Sequence, residues 1–302
     1  MSEFLTLVVV MEHKIKFKSS KGLKLTGTVT VPDDLQTGKK RPGFIVLHGF
    51  GSNSNASNTV SPCRMLNDWG YVTLRFDMRG CGNSEGDLGR IICLEQVDDA
   101  RHALSYFLSR PEVLTDCVGL MGSSFGAAVA LYTAGIDKRP AAVVSSVGWG
   151  NGETKFRAQH AGSKAWKKFT DMLLVGAEHK ERTGESLMVS RYDIVPIPEP
   201  LREHLATKSV MEFPVETAQS MFDFKAEEVV GNIAPRPLLL LHAARDSVCP
   251  ADQSIELFKH AGDPTELHLL ADSDHFLLAE DNIRVREILK GWLERYFPVD
   301  GR

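Results

Sequence analysis

Six short runs of almost unbroken apolar residues, set apart by stretches of helical period, constrain this chain more than any other feature. They read GFIVLHG (43–49), YVTLRFD (71–77), CVGLMG (117–122), AAVVSSV (141–147), PLLLLHA (237–243) and ELHLLAD (266–272). A strand with one wet face alternates apolar and polar side chains, so a run without alternation implies a strand covered on both faces. Amphipathic segments of helical length lie between and around these runs, near 58–69, 94–109, 124–135, 251–261 and 282–297. That alternation predicts an α/β fold: a mainly parallel sheet between two layers of helices. Upstream, HKIKFKSS and LKLTGTVTVP do alternate, about the turn Lys21–Gly22, and predict an antiparallel hairpin. The opening MSEFLTLVVV is too short to span a bilayer and lacks a cleavage pattern. It reads as an extra edge strand or as sequence upstream of a start at Met11.

One interval breaks the rhythm. Roughly ninety residues separate the fourth and fifth runs, far more than an ordinary connection. They include SKAWKKFTDMLLVGAEHKE, predicted as a helix, and YDIVPIPEPLREHL, predicted as a hairpin or loop. The chain therefore reads as a core of residues 11–149 and 232–298 with an inserted cap over 150–231. Phe156, Trp166, Phe169, Phe213 and Phe222 recur through that cap, most of them expected to form a small core of its own.

The third run leads into GLMGSSFGAA, a G-x-S-x-G pattern centred on Ser124. A serine hydroxyl becomes a nucleophile when a base takes its proton and a sharp turn holds it clear of the backbone. A strand ending in that pattern and opening a helix supplies such a turn, with Ser123 off-centre. A base and an acid are expected at the same sheet edge, where the strands of a parallel sheet all end. HAARDSVCP places Asp246 just past the fifth run, and DSDHF places His275 just past the sixth. Asp272 and Asp274 are competing acids, and Asp246 could instead cap the helix that follows. The N–H groups of Phe125 and of Phe50, in the loop HGFGSN, are candidate oxyanion donors. His48 reads as a loop organiser. Trp149, just past the fourth run, is expected to line the cleft and bind substrate.

Together LHGFGSN, RFDMRGCGNSEG, GSSFGAA, HAARDSVCP and DSDHF, in that order, resemble the α/β-hydrolase family over about residues 12–297. The resemblance implies a Ser-His-Asp serine hydrolase and makes Asp77 and Arg79 structural. The HGF loop and the position of the cap are similar to the feruloyl/cinnamoyl esterase-like and peptidase-like branch, although Ala243 and Cys81 depart from common family residues. The expected activity is cleavage of carboxylic esters with small-to-medium apolar or aromatic acyl groups. Amide, peptide or thioester cleavage by the same residues is the alternative, and a catalytically inactive binding module is the reading from another class.

A formal net charge of −4 offers no field for nucleic acid or anionic lipid, so a small-molecule ester is the expected partner. Five dispersed cysteines without a C-x-x-C pair suggest a reducing, cytoplasmic setting and no metal site. No phosphate loop, HExxH or dinucleotide fingerprint occurs, and no cofactor is expected. The oligomeric state stays open, a homodimer being compatible with the sequence.

Overall fold

The computed structural model describes residues 11–279 and 282–300, so the reading of residues 1–10 lies outside the described residues. The hairpin forms as expected: β1 (Met11–Lys18) runs antiparallel to β2 (Lys24–Val31). Strands and helices then alternate as β3 (Arg41–Leu47), α1 (Ser57–Asp68), β4 (Val72–Phe76), α2 (Cys93–Leu108), β5 (Val113–Ser123), α3 (Phe125–Ile136) and β6 (Ala142–Ser146). The insert contributes α4 (Gly152–Gln159), α5 (Ser163–Thr183), β7 (Met188–Ser190), α6 (Arg191–Ile194), β8 (Glu212–Pro214) and α7 (Val215–Asp223). The chain returns to the core through β9 (Leu238–Ala243), α8 (Asp252–His260), β10 (Thr265–Leu270) and α9 (Ile283–Tyr296).

Eight strands make one sheet in the order β1-β2-β4-β3-β5-β6-β9-β10. Only β2 runs against its neighbours, and every pairing from β4 to β10 is parallel. The apolar runs divide residue by residue between two cores. Ile45, Leu120, Val143 and Leu240 pack with the buried faces of α2 and α3. Phe44, Met121, Val144 and Leu241 pack with those of α1 and α9. Each such side chain withdrawn from water contributes about 1.5–3 kcal/mol, which is why the runs show no alternation. β10 departs from that expectation. It is an edge strand, paired with β9 alone among the described residues, and Leu269 is 41% exposed.

The insert holds the expected long helix, α5, but residues 192–205 form no hairpin. Pro196, Pro198 and Pro200 remove the N–H groups a ladder needs, and a 3-10 turn, Glu199–His204, follows α6 instead. The insert's own ladder pairs β7 with β8, Val189 opposite Phe213. Its aromatics stack on one another, Phe156 on Phe169 with centroids 4.7 Å apart and His160 on Phe169 at 4.5 Å. Among the described residues no helix is long and apolar enough to cross a membrane.

Candidate active site

Ser124 stands between the last residue of β5 and the first of α3, with φ 56° and ψ −119°. That conformation is strained for a residue with a Cβ. Its surroundings hold it there. The Ser124 N–H donates to the Ser146 carbonyl at 2.9 Å, and its own carbonyl accepts from Ala127 and Ala128 at 3.0 and 3.2 Å. The flanking glycines are obligatory: a Cβ at Gly122 would collide with the Gly126 carbonyl, and one at Gly126 with the carbonyls of Leu47 and His48. Ser123 points away from the turn, buried, with its hydroxyl accepting from Asn58 at 3.4 Å.

The loops after β9 and β10 bring two further groups to Ser124. The Ser124 hydroxyl lies 2.9 Å from His275 Nε2, and His275 Nδ1 lies 2.9 and 3.1 Å from the two oxygens of Asp246. A carboxylate only accepts, so the imidazole proton belongs on Nδ1 and leaves Nε2 free to take one from the serine. The Asp246 side chain is fully buried. Burial alone would raise its pKa; the neighbouring His275, the hydrogen bond to it, His242 and the Cys249 N–H outweigh that and hold the carboxyl below its ordinary value. His242 supports the loop from beneath: Nε2–H donates to the Cys249 carbonyl at 2.9 Å and Nδ1 accepts from Ser254 at 2.7 Å. Asp274 ties two loops together, accepting from the N–H groups of Ser247 and His275, each at 2.8 Å. Asp272 is exposed on its turn.

Phe50 lines the cleft beside Ser124 and Phe125 follows Ser124 as the first residue of α3; neither N–H has an acceptor among the described residues. His48 organises the first wall from below, donating through Nδ1 to the Gly49 carbonyl at 2.9 Å and accepting the Met78 N–H at 3.1 Å. The cleft over Ser124 is small, about 40 Å³, and is faced by Val195, Ile197, His204 and Leu205 of the insert and by Phe276 of the core. The expectation for Trp149 does not hold. Its side chain is 1% exposed and lies away from the cleft, packed on Phe125 and Phe224 with centroids 6.4 and 5.5 Å apart. Past β6 the chain turns through Val147 at φ 48°, and the indole goes into the core rather than over the serine.

Sequence reading missed Arg191. This residue of the insert is 2% exposed and forms part of the cleft wall. Nη2 donates to the carbonyls of Phe50 and Gly51 at 2.9 and 3.0 Å, and Nε to that of Val210 at 2.9 Å. Burial lowers its pKa to about 10, which leaves it charged at neutral pH. Val210 donates to Gly51 at 2.8 Å and Phe213 stacks on Phe50 at 4.4 Å, so the insert grips the loop that presents the Phe50 N–H. No sequence signal marks Arg191, because its partners are backbone carbonyls 19, 140 and 141 residues away. Among the described residues no cluster of three or more His, Cys, Asp or Glu side chains is arranged to hold a metal ion.

Sheet order, turn and strand-end loops define an α/β hydrolase. A family model described as serine aminopeptidase, S33, matches residues 38–282, and the chain belongs to that family of hydrolases. An uncharacterized 31.7 kDa protein of Escherichia coli is 25% identical over 297 residues, spanning 95% of this chain and 99% of its own. The polyketide transferase grgF of Penicillium sp. is 23% identical, with 90% of this chain and 92% of its own covered. Its crystal structure matches with a TM-score of 0.78 over 95% and 99% of the two chains. Est1E from Butyrivibrio proteoclasticus, solved with ferulic acid bound, matches with a TM-score of 0.66 at 19% identity, covering 93% of this chain and 98% of its own.

Proposed function

We propose that this protein is a serine hydrolase that cleaves carboxylic esters through an acyl-enzyme on Ser124, with residues 150–231 as the cap over the site. The observation that carries the reading is the unbroken chain of hydrogen bonds from Asp246 through His275 to Ser124, all at strand ends. His275 Nε2 takes the serine proton as Oγ bonds to the ester carbonyl carbon. The Phe50 and Phe125 N–H groups receive the oxyanion, and Asp246 stabilises the imidazolium. The ester C–O bond breaks as His275 gives its proton to the departing alcohol. Water then gives a proton to His275 and attacks the acyl carbon; the bond to Oγ breaks, Ser124 recovers its proton and the acid leaves.

Aminopeptidase activity fits the cleft less well. A free substrate amine needs a carboxylate to hold it, and among the described residues none lines the cleft. The Penicillium relative, a polyketide transferase, favours a second reading for deacylation alone, in which an alcohol rather than water accepts the acyl group.

A fluorophosphonate probe and a 4-nitrophenyl ester test the proposal. Ser124→Ala is expected to lose labelling and to lower kcat by several orders of magnitude, about 10³-fold or more. Ser123→Ala is expected to keep most of both. Equal losses in the two variants would refute the assignment.

A further inference from the structure

The electrostatic make-up of the cleft is one-sided. Arg191 is charged and buried in its wall, and no aspartate or glutamate among the described residues forms an ion pair with it. Nε and Nη2 are used on backbone carbonyls, but Nη1 has no acceptor among the described residues. The guanidinium lies against the rings of Phe50 and Phe213, centroids 5.2 and 5.5 Å away. A second N–H donor faces the same space. His204 stacks on Phe276 at 4.9 Å and has no hydrogen-bond partner among the described residues. The rest of the insert's wall is apolar: Val195, Ile197 and Leu205.

Burying a charge is unfavourable by several kcal/mol unless an opposite charge meets it. Backbone carbonyls of the Phe50 loop and of Val210 account for two of the three guanidinium nitrogens, Nη2 and Nε, and bring no negative charge. Among the described residues no carboxylate supplies the counter-charge, and Arg191 lines a cleft that a ligand can enter. Resting on the ester-hydrolase reading, we propose that the natural substrate is an ester whose acyl part carries a carboxylate on an apolar body. Arg191 Nη1 receives the carboxylate, His204 supplies a second donor, and the apolar residues of the insert pack on the body. Neutral esters fill the same apolar wall and leave the guanidinium unpaired.

The test is a ratio, so that general damage to the loop held by Arg191 cancels. kcat/KM is measured for the 4-nitrophenyl monoester of adipic acid and for 4-nitrophenyl heptanoate, in wild type, Arg191→Gln and Arg191→Lys. Wild type is expected to prefer the acid-bearing ester by about tenfold or more, the range of a hydrogen bond to a charged group. Arg191→Gln is expected to bring the ratio to about one or below, and Arg191→Lys to keep part of the preference. Equal or better use of heptanoate by wild type, or a ratio that survives in Arg191→Gln, overturns the proposal. If neither ester turns over, protection of Ser124 from the fluorophosphonate by adipate decides. Protection of wild type but not of Arg191→Gln supports the anion site, and no protection overturns it. A protein that neither turns over ester nor takes the label refutes the ester-hydrolase reading itself, and the anion site falls with it.

Discussion

Core and insert bury positive charge in opposite ways. In the core, Arg79 is 4% exposed and meets Asp99 at 2.6 Å and Asp98 at 2.9 Å, with Glu95 at 4.0 Å. Asp99 in turn accepts the Arg79 N–H at 2.8 Å and a bond from Ser19. In the insert, Arg191 and Lys155 are 2% and 3% exposed, and neither forms an ion pair with a carboxylate among the described residues. Lys155 donates to Gln159 at 2.9 Å and lies over the rings of Phe156 and Trp149, 3.9 and 5.3 Å from their centroids. A charge answered by its own neighbours serves the fold. A charge left unanswered lowers stability, and at Arg191 it sits where a ligand can answer it.

Removing the answer to Arg79 is the harshest way to break this contrast. Asp99→Asn is expected to lower stability in urea unfolding by about 3–5 kcal/mol, because it leaves a buried guanidinium short of its closest partner. kcat per folded molecule should hardly change, since the network lies outside the cleft. A loss under about 1 kcal/mol would erase the distinction between the two arginines.

Lys155 tests the other side. Burial lowers its pKa to about 8, while in the unfolded chain it titrates near ~10.4. Between those values the unfolded chain holds more protons, so wild-type stability rises with pH across that window and is lowest below it. Lys155→Met keeps the packing on both rings and discards the charge. It is expected to be more stable than wild type near neutrality by about 3 kcal/mol, from a pKa lowered to about 8. The advantage shrinks toward ~10.4. Parallel unfolding curves with no pH-dependent gap would show that Lys155 keeps its proton at no disadvantage.

The smallest expected effect sharpens the contrast by elimination. Trp149→Phe should lower stability by about 1 kcal/mol, as a reduction in core volume, and leave the ratio between polar and apolar acyl esters as it is. A changed ratio would return the indole to the cleft.

Legibility in the sequence divides along the same line. The inner strands of the core were readable because helices cover both sheet faces; Ser124 and Asp246 were readable because each follows such a strand within a few residues, and His275 because it follows the apolar run of the edge strand β10. Local spacing carries that information. Trp149 shows its limit: a position just past a strand fixes where the backbone lies, but Val147 at φ 48° decides where the next side chains go. Arg191 lay beyond any local signal, since its partners are carbonyls, which every residue has. The three-residue strands β7 and β8 are too short to show alternation, and the prolines between them left hairpin and loop equally readable.

The grip of Arg191, Val210 and Phe213 on Phe50 and Gly51 bears on how such a chain can be re-engineered. An insert of this kind is attractive for grafting, because it begins and ends on one face of a shared scaffold. Here the graft would carry away a brace as well as a wall. A foreign insert without a donor for those two carbonyls would leave the loop free to wander, and its chimera would be slow on every ester, whatever preference the new segment brought.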